Sequence, residues 1–297
     1  MSAGFSLSGF SLAIAGLRLD VTADDDLPIA PEGSARKFVV EPDGSPPTAR
    51  LHARWGDPRV PDAPVGFDSG KGLWRLYHTA NGPEIVFTSP MLGEAPYQTA
   101  SFSDDFRRGL VTLRRAPFAD RGAIYPLHYP LDEVFMVHLL ARGLGVELHG
   151  AAVVLPDGRG WLFVGESGAG KTTLARLWRV APGMTVLSDE RVVVRADDEG
   201  GLSLYGTPWH GDGHIAEPGR ARLDRVFFLR HGERNALTPV EGGAAVARLF
   251  ACGFTPFHDA AGLDFSLELL GRVVRACRCA ELSFVPRADV VPFLLGS

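Results

Sequence analysis

Lysine, cysteine and long apolar runs are all scarce in this 297-residue chain, and each scarcity excludes something. The three cysteines, Cys252, Cys277 and Cys279, are too few for a complete disulfide framework and fit a reducing compartment. No segment approaches the roughly 18 uninterrupted apolar residues of a membrane span. The apolar patch at residues 10–17 has no Lys or Arg before it and runs on into alternation, so a signal peptide is not expected either. A basic surplus is also missing. Lys and Arg together number 30 against 35 Asp and Glu, a net charge of -5, and the basic residues are scattered rather than striped. That argues against a nucleic-acid footprint. These absences together predict a cytoplasmic protein with neither a nucleic-acid nor a membrane partner. Only positions 37, 71 and 171 are lysine. The apolar share, 45%, is ample for a large core or for two domains.

One of those lysines sits in the most informative stretch. Gly165, Glu166, Ser167, Gly168, Ala169, Gly170, Lys171, Thr172 and Thr173 satisfy the phosphate-loop pattern G-x-x-x-x-G-K-[ST]. The glycines let backbone N–H groups turn inward around phosphate oxygens, Lys171 reaches the terminal phosphates and the Thr172 hydroxyl can ligate Mg²⁺. Residues 161–164 before the loop are strand-like. Leu174, Leu177 and Trp178 behind it fall at i, i+3, i+4 and predict a helix, whose positive end adds to the site. The loop implies a bound nucleotide and Mg²⁺, and by itself does not choose between ATP and GTP.

Residues 1–125 read as a β-rich domain, a scaffold or a substrate-recognition unit. Leu17, Leu19 and Val21 alternate, and residues 37–41, 73–77 and 110–113 are strand-like, separated by Gly, Pro and Asn turns. His52 and His78 are read there as surface or packing residues. Residues 126–297 form the second domain. The spacing predicts a helix over 131–142, then a hairpin of residues 145–155 and 161–164 that leads into the loop. A hairpin at that point predicts a mixed sheet, so the fold class is α/β, in its α+β mixed-sheet form. Residues 184–190 return as a strand ending on Asp189 and Glu190. If this strand lies parallel and adjacent to 161–164, Asp189 faces the phosphates and serves the metal. The loop at 206–214 reads either as contact with substrate or nucleotide, through Trp209 and His210, or as a purely structural loop. His210, Asp212 and His214 lack the further ligands of a zinc site. Strands at 225–229 and 279–285, helices at 243–250 and 264–275 and a short final helix complete the chain. Cys277 and Cys279 read as packing residues.

The ordered set of His149 on a strand, a hairpin, the loop 165–173, and then Asp189 and Glu190 resembles the catalytic domain of HPr kinase/phosphorylase. That family shares its nucleotide fold with phosphoenolpyruvate carboxykinase, and its HPr kinase-related proteins include kinases that modify lasso-peptide precursors. The resemblance covers about residues 148–190, with looser similarity to the C-terminus. It implies that residues 165–172 hold the ATP phosphates and Mg²⁺ and that His149 sits beside the transferring phosphoryl. One of Asp189 and Glu190 would serve the metal and the other the acceptor hydroxyl. The family's usual Asp-Asp pair is Asp-Glu here, and the resemblance does not assign the base between them. The downstream segments tied to dephosphorylation and hexamer contacts are not found, so HPr as substrate and the reverse reaction are not expected. The function expected is transfer of the γ-phosphoryl of ATP to a Ser/Thr hydroxyl of a protein or peptide. The alternatives are a small-molecule kinase, acting for example on free serine, and an inactive nucleotide-binding regulator or scaffold. A homo-oligomer stays open.

Overall fold

Leu17, Leu19, Val21 and Ala23 are buried and the residues between them less so, which makes the expected alternation a strand with one face in a core. The computed structural model describes residues 9–70, 73–197 and 199–297. Residues 1–8, Lys71, Gly72 and Asp198 lie outside the described residues. The protein is a mixed α/β chain whose contacts divide it into two units, residues 1–13 with 17–139, and residues 14–16 with 140–297. No helix among the described residues is long and apolar enough to cross a membrane.

The first unit holds β1 (Gly9–Ile14), β2 (Leu17–Ala23), β3 (Val39–Val40), β4 (Ala49–Trp55), β5 (Val65–Asp68), β6 (Trp74–Thr79), β7 (Gly82–Phe87), β8 (Gln98–Phe102) and β9 (Arg108–Leu113). They form one sheet in the order β3-β1-β2-β4-β9-β8-β7-β6-β5. The pairings of β4 with β2 and β9 are parallel, and those from β9 to β5 are antiparallel. The strand expected at 37–41 shrinks to Val39–Val40, because Gly33–Phe38 is a 3-10 helix that buries Ala35 and Phe38. A three-residue turn puts those two side chains on one face, where a strand would have opposed them. The helix α1 (Leu131–Leu140) follows. Phe135 stacks on Phe102 at 5.4 Å and His138 on Phe106 at 4.8 Å, so the helix packs with the first unit. The expected division at residues 125 and 126 falls in the loop before it.

The second unit runs β10 (Val146–Val154), β11 (Arg159–Val164), α2 (Lys171–Arg179), β12 (Thr185–Ser188), β13 (Arg191–Ala196), β14 (Leu202–Gly206) and β15 (Arg220–His231). It continues with β16 (Ala236–Pro239), α3 (Gly242–Ala251), β17 (Gly253–Phe254), α4 (Ala260–Ala276), β18 (Arg278–Phe284) and α5 (Val290–Leu295). Strands β11, β10, β13, β14 and β15 are neighbours in that order, and β15 pairs parallel with β11, so these five close into a barrel. β18 and then β16 extend the sheet beyond β15. The expected hairpin is present, with β10 and β11 antiparallel from Gly150↔Val164 to Val154↔Gly160. Alternation along β10 sends Val146, Leu148 and Ala152 into one core with α3 and α4, and Ala151, Val153 and Leu155 into a second core under α2 and α5.

The expectation that β12 lies adjacent to β11 is corrected. β12 pairs antiparallel with β10, at Ala152, Val153 and Val154, where β11 also pairs. β10 therefore stands between them, and β12 and β11 are parallel with one strand interposed. The hairpin is the reason, since its first strand already occupies the edge of β11 that β12 would have needed.

Candidate functional site

Val164 closes β11 fully buried, and the chain turns through Gly168 (φ 81) and Gly170 (φ 96) before α2 begins at Lys171. Gly170 is required twice. Its φ lies in the left-handed region, and a Cβ there would stand 2.8 Å from Phe284 Cζ. Leu174, Ala175 and Trp178 bury the inner face of α2, with Trp178 edge-on to Trp161 at 5.6 Å. That packing fixes the helix N-terminus, and its partial positive charge, at the end of β11. Lys171 Nζ donates to the carbonyls of Gly165 (2.7 Å) and Glu166 (2.9 Å), and His231 Nε2 donates to that of Gly168 (2.7 Å).

The sheet splits beside this loop. Along one edge β10 pairs first with β13 (residues 146–149) and then with β12 (152–154); along the other it pairs first with β17 (147–148) and then with β11 (150–154). His149 and Gly150 stand at the parting of both edges. There the His149 N–H donates to the Cys252 carbonyl at 2.7 Å, and the Gly150 N–H to that of Glu190 at 3.0 Å. Asp189 and Glu190 form the interruption between β12 and β13, an irregularity that re-aims side chains. Ser188 Oγ caps it by accepting from the N–H groups of Glu190 (3.2 Å) and Arg191 (3.1 Å).

The two acids are aimed differently. Asp189 is fully buried and accepts three backbone N–H bonds, from Gly211 (3.2 Å), Gly213 (2.8 Å) and Ile215 (3.3 Å). A Cβ placed on Gly213 would lie 2.4 Å from Asp189 Oδ2 and 3.1 Å from Thr172 Cγ2, so both side chains press on one glycine. Glu190 is half-buried; its Oε1 meets His149 Nε2 at 3.2 Å and accepts from Arg191 Nη1 at 2.6 Å. A cavity of about 410 Å³ brings His149, Lys171, Thr172, Thr173, Glu190 and Asp212 together with Ser167, Gly168, Gly170 and Gly211. A second cavity, about 570 Å³, shares Ser167 and Gly168 with it and is lined also by Gly165, Glu166, Ala169, Phe228, Arg248, Cys252 and Glu281.

Charge at this corner is set by burial first. Burial lowers the His149 pKa, the positive charges of Lys171 and Arg191 lower it further, and Glu190 only partly opposes them, so the ring is held neutral near pH 7. Burial likewise lowers Lys171, against the pull of Glu190. For Glu190 burial works toward protonation, but the hydrogen bond and positive charge of Arg191, together with the hydrogen bond from His149, outweigh it, and its pKa falls below the usual carboxylate range. The corner thus pairs a neutral imidazole with a carboxylate anion beside a lysine and a helix N-terminus.

Of the residues the sequence singled out, His149, Lys171, Thr172, Thr173 and Glu190 line one cavity, and Ser167, Gly168 and Gly170 complete its loop side. Gly165, Glu166 and Ala169 face the adjoining cavity. Asp189 lies beneath the wall, holding the loop that carries Gly211 and Asp212. Trp209 is buried and His210 exposed, its ring 4.8 Å from that of His214, and neither lines either cavity. Among the described residues no group of three or more His, Cys, Asp or Glu converges to hold a metal ion. Sequence reasoning missed Arg191 and Glu147. The position of Arg191 directly after the two acids was the one available signal. Comparison with the models of known protein families and with curated proteins gives no match for this chain.

Proposed function

We propose that the second unit is a phosphate-loop nucleotide domain of the HPr kinase and phosphoenolpyruvate carboxykinase type. On this reading the protein is a Mg-ATP-dependent kinase that phosphorylates a Ser or Thr hydroxyl of a protein or peptide. The observation that carries the reading is the single cavity lined by Lys171, Thr172, Glu190 and His149 at the N-terminus of α2. Phosphoryl transfer asks for positive charge at the phosphates, a metal ligand and a base for the hydroxyl proton, and these four side chains supply all three.

The roles follow from the geometry. The loop and Lys171 take the β- and γ-phosphates, and the larger adjoining cavity has room for the nucleoside. Thr172 would hold Mg²⁺, whose chemistry is to neutralise charge on the phosphate oxygens. Asp189 fits a supporting part: a carboxylate has about four lone-pair sites, the three backbone N–H bonds to Asp189 leave about one of them, and Asp189 and Thr172 press on the same glycine, Gly213. Glu190, anionic and facing the cavity, is the base. It takes the proton as the hydroxyl oxygen bonds to the γ-phosphorus, while the bond to the β,γ-bridging oxygen breaks and ADP leaves. The first unit selects the acceptor.

Incubation with γ-labelled ATP and Mg²⁺, offering Ser- and Thr-containing peptides in one arm and free serine in the other, tests this. Label on peptide is expected. Label on serine alone points to the small-molecule kinase, and tight ATP binding with no transfer to either points to a nucleotide-binding regulator.

A further inference from the structure

Strand register alone gathers four side chains on one face of the sheet. Glu147 and His149 are two apart on β10, Arg191 is the cross-strand partner of His149 on β13, and Phe254 is the partner of Glu147 on β17. The opposite face of the same strands is the apolar core of Val146, Leu148, Val192 and Val194. Glu147 is completely buried on the polar side, where a charge persists only if paired.

Its neighbour is Arg191, whose Nε lies 3.5 Å from Glu147 Oε1. The same guanidinium rests over the Phe254 ring at 4.2 Å and directs Nη1 to Glu190 Oε1 at 2.6 Å. Thr207 Oγ1 donates to the Arg191 carbonyl at 2.7 Å, which fixes the backbone as well. A planar fork that reaches two carboxylates while stacking on a ring has one orientation; a lysine ammonium, a point charge on a flexible stem, does not reproduce it.

We infer that Arg191, anchored by the buried Glu147, is a positioning residue that sets the Glu190 carboxylate against His149 and toward the cavity. This rests on the reading of the site as a phosphoryl-transfer centre. Arg191 does not line the cavity and touches neither nucleotide nor acceptor on that reading; it acts through Glu190.

The experiment compares wild type, Arg191→Lys, Arg191→Ala and Glu147→Gln for binding of a fluorescent ATP analogue and for steady-state transfer from Mg-ATP. Loss of a group that orients a reacting residue typically costs about 10–100-fold in activity. Expected for Arg191→Lys is a fall in kcat of that size, with nucleotide Kd and KM within about threefold of wild type. Millimolar guanidinium should restore part of the Arg191→Ala loss, which a purely structural role would not allow. A kcat within about threefold of wild type in Arg191→Lys, or parallel losses of nucleotide affinity and kcat, would overturn the inference while leaving the kinase reading intact. A wild type that transfers no phosphoryl group overturns the kinase reading instead. The positioning claim is then decided by crystal structures of wild type and Arg191→Lys: opening of the 3.2 Å His149–Glu190 contact with the β10–β13 register kept supports it, and an unchanged contact overturns it. Glu147→Gln, if it folds, should follow Arg191→Lys in the same direction.

Discussion

Each unit carries a nine-stranded sheet and a histidine whose pKa burial pushes down, yet the two histidines stand in opposite company. In the first unit His128 stacks on Tyr97 at 5.8 Å and meets Phe118 in a tilted contact at 5.5 Å, its Nδ1 donates to the Tyr125 carbonyl at 3.2 Å, and the opposed charges of Arg121 and Glu32 act on it only after burial and that hydrogen bond. In the second, His149 stands where the sheet splits, with Glu190, Lys171 and Arg191 as its electrostatic neighbours. Burial acts alike on both. The difference teaches that a shifted histidine marks a site only where charged partners converge on a cavity, and that an aromatic cage makes the same shift a matter of stability.

The sharpest way to break this contrast is Lys171→Ala. On the proposed reading Mg-ATP should raise the melting temperature of the wild type, and this variant should abolish that rise and lower transfer by at least about 100-fold, as expected when a main charge-stabilising group is removed. Differential scanning fluorimetry with and without Mg-ATP checks the first part, and an equal shift in the variant would remove the loop from the nucleotide site.

Next in size, Asp189→Asn and Glu190→Gln should separate two neighbours. Asp189→Asn turns an acceptor of three N–H bonds into a partial donor and should cost roughly 2–4 kcal/mol of stability in urea unfolding. Glu190→Gln should leave stability near wild type and depress kcat. The reverse pattern would exchange the roles assigned to the two acids. A smaller effect is expected of Gly213→Ala, whose Cβ would press on Asp189 Oδ2 at 2.4 Å. About 1–3 kcal/mol is the usual cost of such overpacking, and an unchanged urea midpoint would show that the loop yields freely.

For the first unit the signature is pH. His128 in the folded state binds its proton less readily than the ordinary histidine pKa of about 6.5 implies. Its contribution to stability is whole above that value and is lost as pH falls from about 6.5 toward its lowered folded value, because the unfolded chain then binds the extra proton. His128→Phe should remove this slope, so the stability of wild type relative to the variant should fall on acidification below pH 6.5. A difference constant from pH 5 to 7.5 would count against the caged histidine. Least in size, Cys277 and Cys279 have thiols pushed up by burial to about 12 and about 11, and should resist iodoacetamide at pH 7.5 until the chain is unfolded.

Much of the second unit was legible from local pattern. The β10–β11 hairpin, α2 and the loop between them follow from alternation, turn residues and helical spacing within one short stretch, and His149, Thr172 and Glu190 do meet at Lys171. The first unit was less legible. β1, β4, β5, β7 and β8 were not assigned, and residues 37–41 misled because a Phe-Val-Val run reads as a strand whether or not a 3-10 turn has already buried its phenylalanine. Trp209 and His210 came from a loop whose Gly211 and Asp212, not its aromatic residues, face the cavity.

The sequence by itself determined the elements around the loop and the chemical types available there: glycines that accept positive φ, one lysine at the start of a helix, and two acids one helix and one strand further on. Those are properties of neighbours along the chain. Only the tertiary structure decided which acid faces the cavity and which is held by residues 211–215, that β10 separates β12 from β11, and that Glu147 anchors Arg191. Each depends on strand pairing between distant segments, and a register of period two that slips by one residue would turn the same side chains to the other face.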